Sequence, residues 1–255
     1  MEPKLHKISK IFKSSKSNFY AKHWKTEPDV FSDVPFLYPK NLSDTPLDNR
    51  LYKSDKGMVK IVTNGENKFL IKRPAIDLAK DPLLIDKNSL ALVIFINPDE
   101  GVERSLHCYE NNVLPYIGDI NNPMVSVMCA EQFGVNAFIC DMSSLKLLSE
   151  KKIIPESVKK VVVYDSGFED LELLSKVSDE YDLKLFLSIP ETGVLANVEF
   201  EVETGDLRLK ELDEVLLECI DGGLVVSKLN LCTPLVRYVA NIACINNFGQ
   251  ITLVN

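Results

Sequence analysis

The chain has 255 residues, 45% of them apolar and 26% charged, with a formal net charge of -8. That length and apolar content support a sizeable core, as one large domain or two subdomains, while the acidic balance excludes a general nucleic-acid binder, whose phosphate contacts need a basic surface. No apolar run reaches the ~18 residues that span a bilayer, and the N-terminus has no apolar core followed by a small-residue cleavage site, so a cytoplasmic chain with no membrane partner is expected.

The chain opens on Lys4, Lys7, Lys10, Lys13 and Lys16, with Leu5, Ile8 and Phe12 between them at near-helical spacing. This predicts a helix that docks a narrow apolar stripe and turns its lysines to water, favoured over the alternative of a membrane-surface helix because the stripe is short and lacks a broad aromatic face. From Thr26 to Asp48 the residues Pro28, Pro35, Pro39 and Pro46 break any long helix, so connecting structure is expected there. Met58 to Thr63 and Lys68 to Lys72 read as a hairpin around Asn64-Gly65. Strands at Leu90–Ile96, Ala137–Cys140, Val158–Tyr164 and Leu183–Ser188 alternate with helices at Met124–Phe133, Ser143–Glu150 and Glu169–Tyr181, the pattern of a parallel sheet with crossover helices. Beyond Glu191 short strands follow at Val198–Val202, Val215–Ile220, Leu224–Leu229, Leu235–Val239 and Gln250–Val254. The fold class expected is α/β with a β-rich, barrel-like flank, divided into an N-terminal arm (1–50), an α/β subdomain (51–193) and a β-rich subdomain (194–255). The six cysteines, Cys108, Cys129, Cys140, Cys219, Cys232 and Cys244, have no C-x-x-C spacing and read as reduced core residues; no His or Asp stands near Cys232 in sequence to activate it.

Several segments in fixed order resemble the adenylate-forming ligase superfamily, in its phenylacetate-CoA ligase-like branch. They are Phe19-Tyr20-Ala21-Lys22-His23-Trp24 with Phe31 to Pro35, the His107-Cys108-Tyr109 triplet, Glu131 to Glu150, Val161 to Gly167, Leu185 to Gly193, and Thr233 to Tyr238. The resemblance covers most of Phe19 to Asn247. It implies the N-terminal domain of that superfamily without the small C-terminal lid domain that carries the catalytic lysine, since the chain ends at Asn255.

Adenylation brings a carboxylate against the α-phosphate of ATP, so the site must neutralise charge and orient two anions. The resemblance assigns Glu191 as catalytic magnesium ligand, fitting a hard cation that keeps its waters. It assigns Gly65, Lys68, Ser166, Gly167, Thr192, Arg237 and Asn241 to ATP or AMP, and His107, Tyr109 and Gly193 to the acyl pocket. Departures accompany it. The α-phosphate threonine is replaced by Pro190, which has neither hydroxyl nor N–H. In the phosphate-loop segment Val62 to Lys68 only Gly65 and Lys68 keep the family character, and Glu66 adds negative charge. The ribose-binding aspartate aligns with Asn241, an uncharged acceptor. Bland readings stand beside each assignment: a plain hairpin at Gly65, a surface glutamate at Glu191, an ion-paired Arg237, a core His107 and an ordinary strand-to-helix turn at Ser166-Gly167. Two functions follow. One is a trimmed ligase activating a small carboxylic acid, aromatic acids among the candidates, with ATP and Mg2+. The other is a catalytically inactive relative that binds an acyl ligand, a nucleotide or a protein; a third possibility, distinct from it, is a ligase whose lid domain a separate chain supplies.

Overall fold

A computed structural model describes residues 2–13, 18–24, 27, 29–51, 57–73, 78, 81–213, 215–229, 231–232, 234–247 and 249–254. Lys16, Thr26, Pro28 and Thr233, used in the sequence reading, lie outside the described residues. The chain divides into two compact units, residues 78–210 and residues 1–77 with 211–254.

The first unit is built on β3 (Leu90–Ile94), β4 (Leu114–Ile117), β5 (Ala137–Cys140), β6 (Lys160–Asp165), β7 (Asp182–Ile189), β8 (Gly193–Glu201) and β9 (Asp206–Glu211). Their spatial order is β9-β8-β7-β6-β5-β3-β4. The pairs from β4 through β7 are parallel, and β8 returns antiparallel to β7. Residues 91–94, 137–140 and 161–164 are buried without alternation. Such continuous apolar runs are what a parallel strand covered on both faces requires. Helices α5 (Pro98–Glu110), α6 (Pro123–Gln132), α7 (Met142–Glu150) and α8 (Leu171–Glu180) make the crossovers. Each begins at an Asn or Asp, and in α5, α7 and α8 that side chain accepts a first-turn N–H.

The second unit holds α1 (Glu2–Lys13), α2 (Asn18–Trp24), α3 (Pro39–Ser43) and α4 (Leu47–Arg50). Its strands are the antiparallel hairpin β1 (Met58–Asn64) and β2 (Asn67–Arg73), and the antiparallel run β10 (Val215–Ile220), β11 (Gly223–Lys228), β12 (Leu235–Asn247) and β13 (Gln250–Leu253). Helix α1 buries Ile8 and Ile11 and stacks Phe12 on Trp24 at 5.8 Å, while Lys10 and Lys13 face water. The proline-rich connection pairs its backbone with the strands at Leu37, which bridges Tyr238, its N–H donating to the Arg237 carbonyl at 2.9 Å.

The strands and helices predicted from Leu90 to Ser188 all form, with ends shifted by a few residues. Helix α5, strand β4 and strand β9 are elements the pattern reading passes over. β12 runs eight residues beyond the predicted Val239 end, to Asn247, and β8 begins at Gly193.

Candidate functional site

In the 78–210 unit the chain runs from β3 outward to β4, then crosses back to β5 on the other side of β3. The strand order reverses there, and the crevice beyond the strand C-termini at such a reversal is where open α/β sheets bind ligands. Two aspartates occupy this edge. Asp141, just after β5, accepts the Ile96 N–H at 2.8 Å and the Ser144 N–H at 2.7 Å, tying the β3 loop to the start of α7. Asp165, ending β6, accepts the N–H groups of Met142 at 2.9 Å, Ser166 at 2.7 Å and Gly167 at 3.2 Å. Burial pushes the Asp165 carboxyl above its ordinary value; those three hydrogen bonds pull it back, and the Asp141 charge raises it further.

Beside Asp165 opens a cavity of about 630 Å³ between the start of α7 and the β6–α8 turn. Ser166 and Gly167 line it, as do Ser143 and Lys146. Four carboxylates, Asp165, Glu169, Asp170 and Glu172, stand around one cation. That cation, Lys146, is paired with Asp170 at 3.1 Å. The pairing and the Leu173 N–H hold the Asp170 carboxyl below its ordinary value, the N–H being the larger cause.

A buried polar cluster lies at the ends of β6 and β7. Arg104 on α5, 4% exposed, donates from Nη2 to Ser188 Oγ at 2.9 Å and lays its guanidinium 4.2 Å from the Tyr164 ring centroid. Its Nη1 stands 3.8 Å from Asp81 Oδ2. His107 donates from Nε2 to the Asp81 carbonyl at 2.9 Å, and the Tyr164 hydroxyl donates to the Pro82 carbonyl at 3.1 Å. Burial raises the Tyr164 phenol, and it pushes the Cys108 thiol up to about 12. Glu191 and Thr192 form the tip of the β7–β8 turn, both buried, with Thr192 N–H donating to Ile189 at 3.2 Å. Gly193 closes the turn at φ 74°, a left-handed conformation that glycine adopts without a Cβ clash.

The structure therefore brings Glu191, Thr192 and Gly193 together at the end of β7 and sets Ser166 and Gly167 at the end of β6. It separates His107 from Tyr109. Two positions apart on a helix they point about 200° apart, and His107 is fully buried while Tyr109 is 68% exposed. They do not share a pocket lip. Helix α5 turns polar residues inward beside Cys108: Glu103, Arg104 and His107 face the interior, while Val102, Leu106 and Tyr109 face the solvent.

The remaining predicted residues belong to the other unit. Gly65 and Lys68 are exposed at the hairpin turn, Gly65 with φ 59°. Asn241 is exposed on β12. Arg237 is buried and engages four of its five donors: Nε and Nη2 reach the two Glu218 oxygens, each at 3.2 Å, and Nη1 reaches the carbonyls of Ser32 at 2.8 Å and Val34 at 2.9 Å. Its guanidinium also covers the Phe36 ring at 4.3 Å. Among the described residues no group of three or more His, Cys, Asp or Glu side chains is placed to hold a metal ion.

Arg104 and Asp141 are given no role by the sequence reading, and Asp165 enters it only as the first residue of the Asp165-Ser166-Gly167-Phe168 turn that the resemblance sets beside adenine. The two aspartates carry a weak signal, an acidic residue at the end of an apolar run just before a helix. The helix bearing Arg104 is marked by Asn97-Pro98 followed by Asp99 and Glu100, an N-cap, a proline at the first helical position and an acidic first turn.

The fold is that of the N-terminal domain of adenylate-forming ligases. A 2-hydroxyisobutyryl-CoA ligase in complex with 2-HIB-AMP and CoA superimposes with a TM-score of 0.68 over 99% of this chain and 66% of that one, at 13% identity. The NpsA N-terminal subdomain of Klebsiella oxytoca, bound to anthranilyl-AMSN, gives 0.59 over 79% and 64% at 13% identity. The o-succinylbenzoate coenzyme A synthetase MenE of Bacillus subtilis, bound to ATP and magnesium, gives 0.55 over 77% and 49% at 14% identity. This chain thus spans less than two thirds of the length of each. No protein-family model and no curated protein matches the sequence.

Proposed function

We propose that this chain is a ligand-binding relative of the adenylate-forming ligases, taking a nucleoside or small acyl ligand at the C-terminal edge of its parallel sheet without efficient activation of a carboxylic acid. The observation that carries the reading is the Asp165 carboxylate. It hydrogen-bonds the Met142, Ser166 and Gly167 N–H groups that would otherwise be free for phosphate oxygens. The adjoining cavity sets four carboxylates against one ion-paired lysine, a potential that repels a triphosphate. Carboxylates accept hydrogen bonds from ribose hydroxyls and exocyclic amines, so the residues present fit a nucleoside better than ATP with its magnesium.

One observation favours the activating reading instead, the burial of Glu191 and Thr192 at the strand end where ligands bind in open α/β sheets. In that reading Glu191 holds Mg2+, the chain belongs to the phenylacetate-CoA ligase-like branch, the substrate is a small carboxylic acid, and a separate lid domain supplies the lysine. Cytoplasmic residence suits either reading.

Calorimetric titration with adenosine, AMP and ATP with magnesium separates them, run alongside a pyrophosphate-release assay over a panel of carboxylic acids. We expect adenosine to bind at least as tightly as ATP and no acid-dependent pyrophosphate. Tighter binding of ATP than adenosine, lost in Glu191→Ala, or pyrophosphate release that depends on an added acid would overturn the proposal.

A further inference from the structure

Two of the six cysteines meet on one face of the β10–β11–β12 strands. Asp221 and Gly222 take left-handed conformations, φ 51° and 78°, and fold β10 onto β11 in a tight Asp-Gly hairpin. Across it Cys219 pairs with Leu224 and Ile220 with Gly223, and Gly223 in turn stands opposite Ala243 of β12. Side chains alternate along a strand and paired residues share a face. Ile220, Gly223 and Ala243 therefore lie on one face, and Cys219, Leu224 and Cys244 on the other. Burial follows the same alternation: Val215, Leu217, Leu224 and Cys244 are buried, Cys219 at the rim is half-buried, and Ala243 and Ile245 are exposed.

Cys219 and Cys244 are 25 residues apart along the chain and in contact in space. The Cys244 N–H donates to the Gly222 carbonyl at 2.9 Å, which draws β12 against the hairpin turn. The Cys219 thiol donates to the Cys244 carbonyl at 3.2 Å. The two thiols are also neighbours: burial pushes the Cys244 thiol up to about 12, and the hydrogen bond and charge of the Cys219 thiol add to the rise. A sulfur 3.2 Å from the other residue's carbonyl oxygen holds the two Cα atoms to about 8 Å at most. The bent angles of a real contact bring them toward the ~4.4–6.8 Å that a disulfide spans.

We propose that Cys219 and Cys244 are a peroxide-oxidised pair that closes an intramolecular disulfide between β10 and β12. Cys219, the half-buried member, is the one a small oxidant reaches. Its sulfur attacks one oxygen of hydrogen peroxide; the S–O bond forms, the O–O bond breaks, and the departing hydroxide leaves as water with the thiol proton. The Cys244 sulfur then attacks the Cys219 sulfenic acid. The S–S bond forms, the S–O bond breaks, and the second hydroxide leaves as water with the Cys244 proton. Two thiols lose two electrons in all, and one peroxide becomes two waters. Little of Cys244 is thiolate near neutrality, so the second step is the slow one and the sulfenic acid at Cys219 precedes the bridge. Where glutathione and thioredoxin keep thiols reduced, the pair rests as two thiols and bridges under oxidant.

Peptide mapping of the full chain tests the assignment. The reduced chain is treated with hydrogen peroxide, blocked with N-ethylmaleimide in the native state and again in denaturant, then digested without reductant. We expect a linked Cys219–Cys244 peptide, loss of both maleimide sites, and recovery of both when dithiothreitol is added before blocking. The bridged chain should melt a few degrees higher, because the link restricts the unfolded chain. Cys244→Ala should leave Cys219 as a sulfenic acid that dimedone traps, and Cys219→Ala should leave Cys244 unoxidised. The parent chain gives the linked peptide without either variant, so a variant that fails to fold leaves the test intact. Full maleimide labelling of both cysteines after peroxide, oxidation of Cys219 to sulfinic acid with no linked peptide, or a bridge from Cys219 to Cys232 instead would overturn the proposal.

Discussion

Replacing Arg104 by methionine should destabilise the 78–210 unit by about 3 kcal/mol, a figure that comes from what the guanidinium touches. A hydrogen bond from a charged donor contributes about 1.5–3 kcal/mol, and the one to Ser188, at 2.9 Å, is part-buried. A desolvated cation over an aromatic face contributes up to about 2 kcal/mol, and here the ring is that of fully buried Tyr164. The 3.8 Å approach to Asp81 is long for an ion pair, so its loss sits below the ~3–5 kcal/mol measured when one partner of a tight buried pair is removed. These contributions share one side chain and do not add in full; methionine also refills part of the volume. In a unit of this size about 3 kcal/mol lowers the melting temperature by roughly 6–12 °C. Urea unfolding followed by tryptophan-independent circular dichroism reads the loss directly. Adding Asp81→Asn should recover part of it, since the amide oxygen still accepts the Val194 N–H while the charge left facing the methionine is removed. A loss under about 1 kcal/mol in the single variant, or no recovery in the double, would refute the view that Arg104 is held by these partners.

Other perturbations follow from the same geometry. Arg237→Met should cost about 3 kcal/mol in the other unit, and Arg237→Lys should recover little, because an ammonium cannot make the paired contacts to Glu218 and the carbonyls of Ser32 and Val34 together; denaturant melts of both variants check this. Asp165 has a folded-state pKa raised above its ordinary 3.8. Its contribution to stability is therefore fully present below the unfolded value and is lost as pH rises through the folded one. Unfolding free energies measured from the acid range toward neutrality should accordingly rise in Asp165→Asn relative to the parent chain, and a difference that stays flat or falls would count against a desolvated carboxyl.

The parts of the fold legible in the sequence are those whose burial pattern is simple. Residues 91–94, 137–140 and 161–164 are apolar throughout because both faces of a parallel strand are covered, so a short apolar run between turn residues marks them. Helix α5 is illegible for the opposite reason. Its apolar stripe Val102, Leu106 and Tyr109 has helical spacing, but it faces water, and the residues that do pack inward include Glu103, Arg104 and His107. Periodicity assumes the apolar side faces the core. In the candidate site, the position of Glu191-Thr192-Gly193 at a strand end is readable because the strand before it is. The partners of Arg104 are not readable, as Ser188 lies 84 residues away along the chain. Nor does a motif reveal that Asp165 hydrogen-bonds the turn it belongs to, since any aspartate before a helix looks like an ordinary cap.

The polar interior against α5 bears on what the unit is for. A buried ion pair can usually be exchanged for apolar residues of similar volume with no loss of stability, so packing alone gives no reason to keep Arg104, Asp81 and His107 beneath the ends of β6 and β7. Low local dielectric strengthens the field of such a group on anything bound nearby, and Tyr164, which Arg104 covers, is followed directly by Asp165 at the cavity wall. The Arg104→Met, Asp81→Asn pair therefore separates two purposes. If the cluster only fills space, the double variant should regain stability and titrate with adenosine as the parent chain does. If it sets the electrostatics of the strand ends, adenosine binding should weaken in the double variant even where the unfolding curve has recovered, and that is the outcome the geometry predicts.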